Sequence, residues 1–179
     1  QPQDPPYLAF LGRMSPEKGP HLAIEIAKQT QYPLKMAGKI DAVDQTFFDQ
    51  EIAPHLDGKQ IQFLGEANHE QKNALMGGAI ATLFPITWRE PFGLVIIESL
   101  ACGTPVIAMA MGSTPEIMTQ GETGFICHTV KECVTAVSQI QHLSRHRCRT
   151  YVEENFNLKH MTDGYEAVYR SSLEEKLQG

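Results

Sequence analysis

Two carboxylates and two cations carry the chemistry that can be read from this sequence. Glu90 and Glu98 lie in the stretch TWREPFGLVIIESLACGTPVIAMAMGSTP, from Thr87 to Pro115, and Glu98 is the only charge between Pro91 and Pro115. A carboxylate in so apolar a run is costly unless something hydrogen-bonds it. The two hydroxyls of a ribose, held in a bidentate grip, would do so. Glu90 is an anion and cannot ligate phosphate, but it can accept hydrogen bonds from sugar hydroxyls or support a developing positive charge. Arg13 and Lys18 lie in GRMSPEKG, Gly12 to Gly19, just before an expected helix. Glycines let backbone N–H groups approach an anion, and a helix start adds partial positive charge. Arg13 can grip phosphate oxygens in pairs, while Lys18 acts as a point charge. At Gly93, Leu94 and Val95 the first N–H groups of a second helix have no partner and can face a diphosphate. Plainer readings stand beside these. Arg13 and Lys18 can be solvated charges on a turn, Glu90 a surface ion pair with Arg89, and Glu98 a buried acid neutralised by Arg13 or Lys18.

The elements that must position these residues follow from pattern. Short apolar runs ending at glycine or proline predict strands at Tyr7–Leu11, Leu34–Ala37, Ile61–Leu64, Ala81–Phe84, Pro105–Ala108 and Gly124–Cys127. Helices are expected from Pro20, over Thr46–Leu56, from Asn68 to about Met76, over Leu94–Cys102, over Pro115–Thr119 and from Thr129 to Leu143. Asn68 with Gln71, and Thr129 with Glu132, have capping-box spacing. The remainder, Arg145 to Leu177, reads as helix with a break near Asn155 to Leu158. Short buried strands alternating with helices imply an α/β fold: a Rossmann-like, doubly wound parallel sheet of about six strands with helices on both faces. Ligands of such sheets bind outside the carboxyl ends of the strands. The loops after Leu11, Ala37, Leu64, Phe84 and Ala108 belong to that edge. Residues 1–6 read as an interdomain linker, and residues 7–179 as one domain.

Composition narrows the function classes. The net charge of −6 gives no basic field for nucleic acid or an anionic membrane, so any anion site must be built locally. No apolar stretch approaches the roughly 20 residues of a spanning helix. Cys102, Cys127, Cys133 and Cys148 form no C-x-x-C pair and read as reduced thiols, with a cytoplasmic location. His142, His146 and Cys148 are close in sequence, but no acidic or further histidine partner is evident, so a solvated helix face is the expected reading and no metal is expected. The Arg13–Lys18 loop fits neither the Walker A pattern nor G-x-G-x-x-G.

Three ordered motifs resemble one family. The spacing of Glu90 and Glu98 within REPFGLVIIESLACGTPVIA resembles the E-x7-E signature of retaining glycosyltransferases of family 4, group 1. GRMSPEKG resembles that family's G-R-x-x-x-x-K-G loop, and GSTPEIMTQGETGFI its following G-x-x-P-E segment. The EPFG variant with Trp88 is similar to a bacterial subgroup of avilamycin-type and cyanobacterial sugar transferases. The resemblance implies a GT-B enzyme, in which this chain is the C-terminal, donor-binding half and the N-terminal domain is its missing partner. It implies that Arg13 and Lys18, with backbone N–H groups near Gly93, Leu94 and Val95, hold the diphosphate of a nucleotide sugar, and that Gly12 and Phe92 also belong to the donor site. Glu98 would hold the ribose and Glu90 the donor sugar, and Gly38, Lys39 and Leu64 would lie by the base. Glu90, Arg13 and Lys18 would be catalytic. UDP is the expected base, UDP-glucose the expected donor, and no cofactor or essential metal is expected. The full-length enzyme is expected to be peripheral to a membrane, and the chain alone to bind but not turn over.

Two other readings differ in class. An epimerase or phosphorylase-like enzyme could use the same architecture, but the first should lack E-x7-E and the second needs a lysine for pyridoxal phosphate. A non-catalytic nucleotide-sensing module is the other, against which the retention of Arg13, Lys18, Glu90 and Glu98 speaks.

Overall fold

The computed structural model describes residues 2–178; Gln1 and Gly179, at the ends of the expected linker and domain, lie outside them. The six strands are β1 Leu8–Leu11, β2 Leu34–Ala37, β3 Ile61–Phe63, β4 Ala81–Phe84, β5 Val106–Met109 and β6 Gly124–Cys127. They form one parallel sheet in the order β3-β2-β1-β4-β5-β6. The chain therefore builds outward from β1 in one direction, then returns and builds outward from β4 in the other. β1 pairs with β2 along its whole length, from Leu8 opposite Leu34 to Leu11 opposite Ala37. It pairs with β4 only at Leu8 and Ala9. The two central strands thus part towards their carboxyl ends, which is where a doubly wound sheet opens its crevice.

Both faces of the sheet are buried. Leu8 and Phe10 pack with Ile24 and Ala27 of α1 (Pro20–Thr30), with Phe48 and Ile52, and with Cys133 and Val137 further along the chain. Ala9 and Leu11 point the other way, onto Leu75 and Met76. This alternation on a two-sided core explains why each strand reads as an unbroken apolar run. The second face is covered by α3 (His69–Gly78), α4 (Leu94–Ala101) and α7 (Arg145–Asn155), whose Ile96, Leu100 and Cys148 meet Phe84, Val106 and Ala108. On the first face, α6 (Val130–Gln139) lies beside α1. A single turn, α5 (Thr114–Ile117), follows β5, and α8 (Leu158–Gln178) ends the chain.

Local chemistry sets several boundaries. The start of α3 carries the expected capping box: the Gln71 N–H donates to Asn68 Oδ1 and the Asn68 N–H to Gln71 Oε1, both at 2.9 Å. α3 continues through Gly78 rather than ending at Met76. At α6 the Glu132 N–H donates to Thr129 Oγ1, but the Glu132 carboxylate takes the N–H of His128 instead of Thr129. The expected Thr46–Leu56 helix is broken into an α turn, α2 (Gln45–Phe47), a π turn over Phe48–Ile52 and a 3₁₀ turn over Ala53–His55. Pro54 accounts for this, since it lacks an N–H and its ring crowds the preceding turn. The break near Asn155 to Leu158 is present between α7 and α8. At the start of α7, Arg145 donates to the carbonyls of Ala79 at 2.7 Å and Gly77 at 2.8 Å, and to Thr104 Oγ1 at 2.7 Å. It thereby satisfies carbonyls at the end of α3 that a helix terminus leaves unpaired.

Candidate functional site

Two loops leave the parted ends of β1 and β4, and the structure ties them together. The Thr87 N–H donates to the Glu17 carbonyl at 3.0 Å. This brings Lys18 onto the Glu90 carboxylate as an ion pair, with 19% and 12% of the two side chains exposed. Trp88 completes the cluster. Its indole N–H donates to Glu90 Oε2 at 3.0 Å, and its ring lies 4.7 Å below the Lys18 ammonium. Glu90 is therefore not paired with its neighbour Arg89 but with a lysine 72 residues away. The Glu90 backbone is fixed as well. The Ser113 N–H donates to its carbonyl at 2.9 Å. A Cβ on Gly112, whose φ is +57°, would lie 2.3 Å from that carbonyl oxygen, so the loop after β5 comes this close only because Gly112 has no side chain.

Arg13 turns to the other side of the crevice. It donates to Glu17 at 2.8 Å and to Asp41 at 3.5 Å, and Lys39 pairs with Asp41 at 2.6 Å. The hydrogen bond from Lys39, assisted by Arg13, holds the Asp41 carboxyl below the usual range and raises Lys39 in return. Partial burial pushes Glu17 upward, but the Ser15 hydroxyl, its own backbone and the Arg13 charge outweigh it, and Glu17 also sits low. The loops here are laced edge to edge. Gly12 N–H donates to Ala37 at 3.1 Å, Met14 N–H to Lys39 at 2.9 Å, and Gly38 N–H to Gly65 at 2.9 Å. Leu64 is exposed beside them. Arg13 and Lys18, five positions apart in one motif, thus turn to different partners: Arg13 to Glu17 and Asp41, Lys18 to Glu90.

Gly93 adopts the left-handed conformation, φ +79°, and starts α4 at the same edge. The N–H groups of Gly93, Leu94 and Val95 have no backbone acceptor among the described residues. Phe92 and Leu94 are exposed, and the Phe92 ring meets Phe156 edge-on at 6.2 Å. One turn further, Glu98 is not solitary. Lys72 of α3 donates to Glu98 Oε1 at 2.7 Å, with 27% and 35% of the two side chains exposed. Neither Arg13 nor Lys18 reaches Glu98. Beside it lies a depression of ≈480 Å³ lined by His69, Asn73, Glu98, Cys102 and Arg149.

A larger apolar cavity, ≈630 Å³, lies elsewhere, among Tyr32, Ile80, Pro105, Val137 and Leu143. Tyr32, Ile80 and Pro105 precede β2, β4 and β5, which puts it at the amino edge of the sheet. Its one charged wall, Arg145, is already committed to carbonyls, so it offers little chemistry. His142 lies in a 3₁₀ turn and His146 in α7, so they do not share the continuous helix that their spacing suggested. Among the described residues, no group of three or more His, Cys, Asp or Glu could hold a metal ion. The cysteines are all free, and burial pushes Cys148 up to about 11. No helix among the described residues is long and apolar enough to cross a membrane.

Gly12, Arg13, Lys18, Gly38, Lys39, Leu64, Glu90, Phe92, Gly93, Leu94 and Val95 lie in loops or helix starts that follow the carboxyl ends of β1 to β4, and Glu98 lies one helical turn further along α4. Sequence reasoning missed Lys72, Glu17 and Asp41 as partners. Glu17 was within reach, being four residues after Arg13. Nothing local marks Lys72.

The family described as Glycosyl transferases group 1 matches residues 1–155. The chain is 32% identical over 128 residues to a glycogen synthase of Mycobacterium tuberculosis, covering 69% of this chain and 30% of that protein. Its fold superposes on HepE of Anabaena in complex with UDP and glucose, with a TM-score of 0.77 at 22% identity, over 93% of this chain and 48% of that one. It also superposes on AviGT4, a glycosyltransferase of avilamycin A biosynthesis, with a TM-score of 0.77 at 24% identity, over 92% and 50%. At those identities the likeness carries the fold: one half of a GT-B architecture. The chain spans between about a third and a half of the length of these proteins. It belongs to the group 1 glycosyl transferases.

Proposed function

We propose that this chain binds the nucleotide-sugar donor, a UDP-sugar, and supplies the donor half of a retaining hexosyltransferase. The observation that carries the reading is the Lys18–Glu90–Trp88 cluster at the parting of β1 and β4, beside the open N–H groups that start α4. A diphosphate there would meet the N–H groups of Gly93, Leu94 and Val95, together with Lys18 and Arg13. As it draws Lys18 away, Glu90 is left hydrogen-bonded to Trp88 and free to accept from donor-sugar hydroxyls. Glu98 takes the ribose hydroxyls, and the base lies by Gly38, Lys39 and Leu64.

In transfer, the bond between the sugar's anomeric carbon and the diphosphate oxygen breaks and a bond to an acceptor oxygen forms on the same face. The acceptor's proton leaves with the diphosphate or to solvent. Charge develops on the diphosphate as the sugar becomes oxocarbenium-like, by analogy with glycoside hydrolysis. Arg13, Lys18 and the helix start stabilise that charge. The HepE complex with UDP and glucose supports a UDP-sugar as the donor. Residues 1–6 serve as the linker to the absent acceptor half. The exposed stripe of Leu158, Met161, Tyr165, Val168, Tyr169 and Leu173 on α8 is what that half would cover. Calorimetric titration with UDP, GDP and ADP tests the reading. One nucleotide, UDP by expectation, should bind, and Arg13→Ala and Lys18→Ala should each weaken it by about tenfold or more. Binding of none, or indifference to both substitutions, overturns it. Without its partner half the chain should not turn over.

A further inference from the structure

We infer that Lys72 is a positioning residue that sets how strictly the site demands a 2′-hydroxyl on its nucleotide; this rests on the donor-binding reading above. The geometry comes from two helices packed in register. The capping box at Asn68 pins the start of α3, and the Lys72 N–H donates to the Asn68 carbonyl at 2.9 Å. Buried Leu75 and Met76 set the rotation of α3 against the sheet, and Val95 of α4 packs on the same cluster. Lys72 and Glu98 consequently lie at matching depth, each about one turn below the carboxyl edge, and the ammonium spans the gap between the helices.

Only one oxygen of the carboxylate is used. Lys72 holds Glu98 Oε1 at 2.7 Å, while Oε2 has no protein partner among the described residues. With 35% of the side chain exposed, packing alone does not fix its rotamer, and a mobile carboxylate would lose affinity on being ordered by a ligand. The neighbouring groups are otherwise occupied. Arg149 donates to Glu153 at 2.6 Å and to the Ala101 carbonyl at 2.7 Å. The His69 ring and the Asn73 amide lie 3.2 Å from each other. Lys72 therefore supplies both the orientation of Glu98 and the charge that keeps a bare carboxylate from repelling a diphosphate. The first effect acts in full only on nucleotides that present both hydroxyls to Glu98 and is weakened when the 2′-hydroxyl is missing; the second acts on ribo- and deoxyribonucleotides alike.

That difference is the test. The chain, Lys72→Met and Lys72→Arg are titrated with UDP and with 2′-deoxy-UDP, or with the corresponding pair for whichever base binds. A hydrogen bond to a charged group is worth roughly tenfold or more in affinity. The unaltered chain should prefer UDP by at least about that factor. Lys72→Met should reduce the preference to about threefold or less, mainly by weakening UDP. Lys72→Arg, which keeps the donor, should retain most of it and also shows that the helix pair tolerates change there. A Lys72→Met variant that keeps the full preference, or weakens both nucleotides equally, overturns the inference alone. Failure of the unaltered chain to bind any nucleotide overturns the donor reading itself, and this inference with it.

Discussion

Glu90 and Glu98 stand at the two ends of one loop-and-helix segment, each beside a lysine from a distant part of the chain. Glu90 is 12% exposed and meets Lys18 and the Trp88 indole, and its backbone is gripped by Gly112 and Ser113. Glu98 is 35% exposed and, among the described residues, its carboxylate pairs with Lys72 alone. The first pair closes the opening between β1 and β4, so it belongs to the fold as much as to the site. The second bridges two helices at the surface and leaves an oxygen free. The contrast teaches that one motif can carry two kinds of carboxylate: one enclosed and built into the structure, the other held lightly with an oxygen left open.

The largest expected disturbance strikes the enclosed end. Gly112→Ala places a Cβ into the Glu90 backbone at a positive φ, and should cost roughly 2–3 kcal/mol in denaturant unfolding and impair nucleotide binding. A smaller effect separates the pairs directly. Double-mutant cycles with Lys18→Met and Glu90→Gln should give a coupling of about 1–3 kcal/mol, against about 0–1 kcal/mol for Lys72→Met and Glu98→Gln. Raising the salt to 1 M should erase much of the second and little of the first. Equal couplings, or a larger one at Glu98, would break the comparison.

The smallest effect lies behind the Lys18 loop. His21 packs edge-on to Phe47 at 5.4 Å with Nδ1 buried and unpartnered. Burial lowers its pKa below 6.5, and the Glu51 and Glu25 charges only partly oppose this. The unfolded chain therefore binds a proton more readily than the folded one. Stability should fall as pH drops through about 6.5 and recover as it rises. His21→Leu should remove that component from the pH profile while leaving carboxylate titration at lower pH.

Much of this was legible in the sequence, for reasons that differ by element. The six strands were readable because a parallel sheet buried on both faces demands unbroken apolar runs, as LAFL and ATLF show. The loops of the candidate site could be placed because ligands of such sheets bind outside the carboxyl ends of the strands. Pro54 was the local signal against a continuous Thr46–Leu56 helix, and periodicity alone passed over it. The pairings of Glu90 with Lys18 and of Glu98 with Lys72 were not legible. They depend on how closely β1 and β4, or α3 and α4, approach, and no local spacing encodes that. The absence of other charge around Glu98 along the chain was correct as sequence and incomplete in space.

The central claim, that nucleotide is held where β1 and β4 part, is tested most directly by a crystal structure of the chain soaked with UDP. The account predicts a diphosphate between the Arg13–Lys18 loop and the start of α4, Lys18 withdrawn from Glu90, and the ribose hydroxyls on Glu98. Nucleotide bound instead in the apolar cavity at the amino edge, or a diphosphate that leaves Lys18 and Arg13 untouched, would contradict it.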